Sequence, residues 1–412
     1  MKIIYFDYWT RGVHNFVPID EDLKKKGHET LLLHIGSFRF THPKEEVISN
    51  ILCRDILYYD TILIYKALLI EKPDVVITLN TTNIMDRALV FACRVLKIKT
   101  VFIMHGIHAT RDEELESTLE SMKGWLSFSD KIAKGKKYFR QVLPNYFWGM
   151  YKDNWKKIVK LKWLQVLIHN FQQPGMAMYY PLHSAELIQD KCLIYAKKYV
   201  SYYTELGYPL SSIKLVGNPA YESLFEKIEK QLFSFDELPI EIKNLVAEGQ
   251  AYAVYLEGGL HVQNINQWDI PYLKTELLDL ADFFMKKGIK LIVKLHPVTK
   301  KEILAIEHPN VLVYEKLDLY SLVFFSKLCI GHLSTTMNIP VLLKKPILVP
   351  IYGRSKDLPD YFIKNNVATS FQISDDELIL EINQSARDIY IQESISVLKP
   401  GIISNITESI LT

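Results

Sequence analysis

Residues Lys290–Val349 read KLIVKLHPVTKKEILAIEHPNVLVYEKLDLYSLVFFSKLCIGHLSTTMNIPVLLKKPILV, and the order of elements in this stretch decides the fold class. Ile289–Leu295 is an apolar run of buried-strand length that ends in His296-Pro297. Lys327–Gly331 is a second, shorter run, with Ser334-Thr335-Thr336 just past its end. Short apolar runs alternating with helical stretches predict an α/β sheet of parallel strands. In an open sheet of that kind, ligands bind outside the carboxyl ends of the strands. His296 and Ser334 therefore fall on one candidate site. A helix N-terminus with hydroxyls and free N–H groups suits an anion, most simply a phosphate. Ser is also a leading N-cap residue. The two roles are compatible, because a cap hydroxyl points at the same N–H groups.

Upstream, Tyr252–Leu256 reads as the strand opening this domain, followed by Glu257-Gly258-Gly259, small residues that let backbone approach a ligand closely. Trp268–Gly288 is a long helix whose apolar face holds Leu273, Leu277, Leu280, Phe283 and Phe284. Val311–Tyr314, Leu328–Ile330 and Pro346–Pro350 are further strands, and Ile373–Ser394 reads as terminal helices. Phe225–Gly249 is largely polar and reads as a linker region.

A second strand–helix domain precedes it. Lys2–Trp9, Leu31–His34, Pro73–Leu79, Thr100–Met104 and Ile213–Val216 are strand-like, with helical stretches up to Lys26-Gly27 and over Leu57–Glu71, Ile84–Leu96 and Tyr203–Gly207. The first loop, with Arg11 and His14, lacks the glycine pattern of a dinucleotide fingerprint. Asp20-Glu21-Asp22 matches the Asp-x-Asp string of metal-using transferases, but its helical context makes it a solvated helix face. His105-Gly106 ends a strand, where an acceptor-activating base could sit, and Asp112-Glu113-Glu114 follows. Gly217-Asn218-Pro219 is a sharp turn closing the domain.

At 412 residues the chain is past the size of a single core, which agrees with two domains. A net charge of +2 gives no support for nucleic-acid binding. The four cysteines, Cys53, Cys93, Cys192 and Cys329, form no Cys-x-x-Cys pair, so neither a zinc site nor a disulfide framework is indicated and a reducing cytoplasm fits. No signal peptide and no spanning helix are expected. Lys131–Lys162 holds ten Lys or Arg residues and one acidic residue, Asp153, interleaved with Tyr138, Phe139, Tyr146, Phe147, Trp148, Tyr151 and Trp155. That pattern suits an anionic membrane surface. Packing on its own domain and stacking on single-stranded nucleic acid are the alternatives.

Several stretches carry a family resemblance. VGNPAYESL (Val216–Leu224), KPDVVITLN (Lys72–Asn80) and FIMHG (Phe102–Gly106) resemble first-domain features of nucleotide-sugar enzymes of the GT-B class. IVKLHP (Ile292–Pro297) and the run Asp318–Leu348 are similar to the second domain of bacterial surface-polysaccharide transferases. These include polysialyltransferases and related sialyltransferases, capsule Kdo transferases and CDP-glycerol glycerophosphotransferases. The resemblance implies an α/β GT-B fold: two Rossmann-like doubly wound domains facing a central cleft. The domains are 1–225 on the acceptor side, with the basic-aromatic insertion at about 124–170, and 250–375 on the donor side. Helices over 376–412 are expected to pack back on the first domain.

The resemblance also implies a metal-independent, cofactor-free glycosyltransferase. Its donor is a nucleotide sugar, with a CMP-activated acidic sugar such as sialic acid or Kdo favoured. Its acceptor is a glycan or lipid-linked glycan, and it works in the cytoplasm at the inner membrane face, without nucleic acid. A CDP-glycerol-type polyol-phosphate transferase and a UDP-sugar 2-epimerase are the alternatives. His296 matches the histidine that touches the donor phosphate, and Ser334 and Thr335 match the hydroxyl pair on the same phosphate. Lys294, Pro297, Thr336, Glu257, Gly258, Gly259 and Glu315 complete the expected donor side. His105 is the expected base, with Asp112 and Glu113 near an acidic motif whose glycine is missing here. Arg11, His14 and His105 form the expected acceptor side.

Overall fold

The computed structural model describes residues 1–38, 40–81, 84–105, 140–141, 144–145, 188–263, 267–332, 334–358 and 360–412, with backbone alone at positions 11, 84, 263 and 357. The chain forms two compact units, one of Met1–Glu222 with Ile395–Thr412, the other of Ser223–Ser394.

The first unit is built on an eight-stranded sheet. Its strands are β1 (Lys2–Asp7), β2 (Glu29–His34), β3 (Glu45–Ile48), β4 (Ile51–Asp55), β5 (Val75–Thr78), β6 (Lys99–Ile103), β7 (Lys191–Ile194) and β8 (Ile213–Leu215), in the order β3-β4-β2-β1-β5-β6-β7-β8. All pairings are parallel except β3 with β4. That pair is a tight hairpin whose turn residues Ser49 and Asn50 both take positive φ, 51° and 64°, as a two-residue turn matching strand twist requires. Strand β1 is apolar on both faces because helices cover both, which makes Ile3, Ile4, Tyr5 and Phe6 fully or almost fully buried. On one face Ile4, Phe6, Leu31, Leu33 and Val76 pack with Leu68, Met85, Leu89 and Cys93 from the helices Ile64–Glu71 and Ile84–Leu96.

The last helix, Ile402–Leu411, belongs to this unit. Glu222 caps its start, accepting from Gly401 N–H at 2.6 Å and Ile402 N–H at 2.7 Å. Gly217, at φ +90°, faces the same segment: a Cβ there would lie 2.8 Å from Val397 Cβ.

The second unit carries a six-stranded sheet, all parallel: β9 (Tyr252–Leu256), β10 (Lys290–Lys294), β11 (Val311–Tyr314), β12 (Leu328–Gly331), β13 (Ile347–Pro350) and β14 (Thr369–Phe371). The order β11-β10-β9-β12-β13-β14 is the doubly wound order, with its switch point between β9 and β12. The helix Ile270–Lys286 lies along it. Asp269 opens this helix by accepting from Tyr272 N–H at 2.8 Å, and Gly288 at φ +67° follows its end. Leu273, Leu277, Leu280 and Phe284 recur at helical spacing and are completely buried against Ala253, Leu291, Val293 and Ile330. Truncating one such leucine to alanine costs about 2–5 kcal/mol.

Four expectations need correction. The 225–249 stretch is no linker: the helices Glu222–Lys230 and Ile240–Ala247 bury Leu224, Phe225 and Ile242, and all but Glu222 belongs to the second unit. The 376–412 region is not one returning segment, because Gln384–Ser394 stays with the second unit and only residues from Ile395 join the first. Residues 57–71 are not one helix: a 3-10 turn over Ile56–Tyr59 stops at left-handed Asp60, and the helix starts again at Ile64. The 373–383 stretch is not helical; the helix there begins at Gln384.

Candidate functional site

Strands β9, β10 and β12 end side by side in the second unit, since Leu256 pairs with both Lys294 and Gly331. The loops that leave these ends are organised by one carboxylate. Glu257 Oε1 accepts Gly259 N–H at 2.6 Å, and Oε2 accepts His296 N–H at 2.8 Å and the Thr299 hydroxyl at 2.7 Å. His261 Nδ1 lies 3.5 Å from Oε1. Glu257 is thus a buried clasp joining the β9 and β10 loops, with its oxygens already engaged.

The clasp fixes His296. The loop turns back on itself, Thr299 N–H donating to His296 O at 2.9 Å. Val298 N–H reaches His296 Nδ1 at 3.4 Å, which leaves Nε2 as the ring's donor in the neutral form. Burial pulls the His296 pKa below the ordinary histidine value, against an opposing pull from Glu257, so the neutral ring is favoured. Gly259 makes this packing possible. Its φ is +72°, and a Cβ there would sit 3.2–3.3 Å from three ring atoms of His296. Lys294 is half-buried, its Nζ donates to Leu295 O at 2.6 Å, and burial lowers its pKa. Pro297 is exposed. Glu315 follows β11 and is held away as an acceptor for Lys301 N–H at 2.8 Å. That bond, with Lys300 beside it, lowers its pKa.

After β12, Ser334 is extended and its Oγ accepts Thr336 N–H at 3.3 Å and donates to Thr336 Oγ1 at 3.2 Å. It caps a 3-10 turn, Thr335–Met337, that continues into the short helix Asn338–Leu342. The capping role is therefore observed directly. Gly331 brings this turn close: a Cβ there would meet Met337 Sδ at 2.6 Å and Leu256 O at 3.0 Å.

Beside this turn is a pair that sequence reasoning missed. His332 Nε2 lies 2.7 Å from Glu276 Oε1, both residues almost fully buried, with the Trp268 ring edge-on at 5.1 Å. The signal was a carboxylate on an otherwise apolar helix face, three residues after Leu273.

In the first unit, β1, β2 and β4 each end in a titratable residue, and these stand in one row: Asp7 pairs with His34, and His34 with Asp55. His34 Nδ1 is 3.3 Å from Asp55 Oδ2 and accepts Gly36 N–H at 3.2 Å. Burial lowers the His34 pKa to about 4, so the ring is neutral. Of the expected acceptor-side residues, His14 is exposed on the 3-10 turn Thr10–Asn15 and His105 is half-buried just past β6. The Arg11 side chain, Asp112, Glu113 and most of Lys131–Lys162 lie outside the described residues. The Asp20-Glu21-Asp22 string is not wholly a solvated face as expected: Asp20 is buried and engaged by Tyr5 OH and Lys24, while Asp22 pairs with Lys26 and Thr407. Among the described residues no group of three or more His, Cys, Asp or Glu could hold a metal ion, and no helix is long and apolar enough to cross a membrane.

No family model matches the chain, and no curated protein matches it by sequence. Solved structures do match over nearly its whole length. A putative UDP-N-acetylglucosamine 2-epimerase from Listeria monocytogenes is 13% identical with TM-score 0.51, covering 99% of this chain and 95% of that one. The glycosyltransferase SnogD from Streptomyces nogalater is 12% identical with TM-score 0.49, covering 100% and 99%. The Methanocaldococcus jannaschii UDP-GlcNAc 2-epimerase, in complex with UDP-GlcNAc and UDP, is 13% identical with TM-score 0.48, covering 100% and 99%. The Listeria likeness is one of fold, and the expected α/β class with two doubly wound units holds.

Proposed function

We propose that the chain is a nucleotide-sugar-dependent glycosyltransferase whose donor phosphate is bound at the carboxyl edge of the second sheet. The observation that carries this is the Glu257 clasp, which presents a neutral His296 with Nε2 as a donor at the end of β10. A departing nucleotide phosphate gains negative charge, and donors preorganised at its oxygens lower that barrier. The His296 ring, the Ser334 and Thr335 hydroxyls and the Lys294 ammonium are donors of this kind. No metal ion is required in this scheme. Among donors we favour a CMP-linked acidic sugar, on the pairing of the His-Pro step with the Ser/Thr turn. A glycan or lipid-linked glycan is the acceptor, and Lys131–Lys162 supports work at the inner face of an anionic membrane.

Incubating CMP-, UDP- and GDP-sugars with and without glycan acceptors, followed by mass spectrometry, tests the reading. Transfer or slow donor hydrolysis from one class supports it; inertness toward all of them overturns it. CDP-glycerol in the same screen tests the polyol-phosphate alternative. The fold shared with the Listeria protein favours one second reading, a UDP-sugar 2-epimerase. It predicts acceptor-independent interconversion of a UDP-sugar with uptake of solvent deuterium at C2.

A further inference from the structure

Glu276 and His332 are buried in the second unit at a cost that packing alone does not require. Glu276 lies on the helix Ile270–Lys286 among Leu273, Leu277 and Leu280 and is 1% exposed; His332 directly follows β12 and is 2% exposed. An apolar pair of similar volume is often as stable as a buried ionisable pair, or more so. What the ionisable pair adds is a ring held in one orientation, with Nε2 facing Glu276 Oε1 at 2.7 Å and Trp268 edge-on against it. His332 Nδ1 is buried and makes no hydrogen bond among the described residues. Three other histidines behave differently. His34, His296 and His308 each accept, through Nδ1, the N–H of the residue two further on, at 3.2, 3.4 and 3.1 Å. The residue two beyond His332 is Ser334, the cap of the hydroxyl turn.

We propose that His332, oriented by Glu276, is a positioning residue for the Ser334-Thr335-Thr336 turn, a role that rests on the donor-phosphate reading above. The turn is anchored on both sides. Beyond it, Met337 packs where a Gly331 side chain would stand, and Asn338 Oδ1 accepts from Tyr390 OH at 2.7 Å. Before it, the chain enters through His332, whose ring Glu276 ties to the long helix. An ionised Glu276 is an acceptor only, so the neutral ring carries its proton on Nε2 and keeps a lone pair on Nδ1. A phosphate on the turn draws the Ser334 and Thr335 hydroxyls to its oxygens. His332 Nδ1 then takes the Ser334 N–H, the contact that the other three histidines already make within their own loops. His332 itself stays behind the turn and acts on the phosphate through the hydroxyls that it holds in place.

The test uses the full chain and calorimetric titration with CMP, UDP and GDP beside cytidine, uridine and guanosine, which lack the phosphate. A double variant, Glu276→Leu with His332→Phe, replaces the pair by an apolar filling, and thermal melting checks that it is folded. It is expected to bind the nucleotide that the parent prefers about tenfold more weakly, the worth of one hydrogen bond to a charged group, with affinity for the matching nucleoside unchanged. In the parent carrying isotope-labelled histidine, the nitrogen NMR signal of His332 Nδ1 is expected to move on addition of that nucleotide and to stay in place on addition of the nucleoside. A merely structural pair predicts neither result, and the second needs no variant to fold. A folded double variant that binds the nucleotide as tightly as the parent, or an Nδ1 signal that the nucleotide does not move, overturns the positioning role and leaves the glycosyltransferase reading intact. A parent protein that binds none of the three nucleotides overturns that reading, and the positioning role falls with it.

Discussion

Glu257 holds His296 by its backbone and not by its ring, Oε2 accepting the His296 N–H at 2.8 Å while the ring rests against Gly259. One carboxylate therefore sets the position of a histidine whose Nε2 stays available for a ligand, Nδ1 being taken by Val298 N–H.

Removing that carboxylate leaves Gly259 N–H, His296 N–H and the Thr299 hydroxyl without their acceptor. Glu257→Ala is expected to lower the stability of the second unit by about 3 kcal/mol or more, since hydrogen bonds to charged groups contribute about 1.5–3 kcal/mol each. Glu257→Gln, which keeps one acceptor oxygen, should lose less. Urea unfolding curves of both variants check the order; equal stability of Glu257→Ala and the parent contradicts the clasp.

Gly259→Ala places a β-carbon against the His296 ring and forces a left-handed backbone on a residue that disfavours it by about 1–2 kcal/mol. Displacing the ring by even a fraction of an ångström should lower kcat about tenfold or more, because catalytic groups act through position. Steady-state kinetics with unchanged kcat would show that His296 is not held for chemistry.

His332→Ala removes the partner of a buried Glu276 and is expected to destabilise the protein by about 3–5 kcal/mol. Replacing both residues, as in Glu276→Leu with His332→Phe, should recover much of that loss. Thermal melts of the single and double variants give the coupling; additive effects contradict a direct pair.

Asp7 carries a pH signature of opposite sign to a salt-bridged aspartate. Its folded pKa of about 6 lies above the ordinary value of 3.8, so between those pH values the folded chain keeps a proton that the unfolded chain has released. Stability then falls as pH rises through this window, by about 3 kcal/mol in total from this group, at about 1.4 kcal/mol per pKa unit. Above pH 6, Asp7→Asn should be at least as stable as the parent, because the amide carries no charge to keep buried. Denaturation midpoints of the two proteins at pH 4 and pH 7 check the sign, and a variant less stable at pH 7 contradicts it.

Much of the second unit is legible in the chain because each strand there is an apolar run closed by polar or small residues: YAVYL before Glu257, KLIVK just before His296, LCIG before Ser334. Parallel strands covered on both faces produce such runs. Strands β4 and β7 are harder to see, being short and carrying charged residues such as Arg54 and Lys191. The Asp7–His34–Asp55 row is invisible for another reason. Each residue merely ends an apolar run, and only the register of three strands distant in sequence brings them together. Glu276 is masked in the same way by the leucines that share its helix face.

The central claim is that His296 presents a donor to the leaving phosphate of an activated sugar. The most direct measurement is nucleotide release from the donor that the screen identifies, compared between the parent and His296→Ala at saturating donor. A loss of about 100-fold or more in kcat with nucleotide binding largely retained is the predicted result; equal turnover by the two proteins contradicts the account.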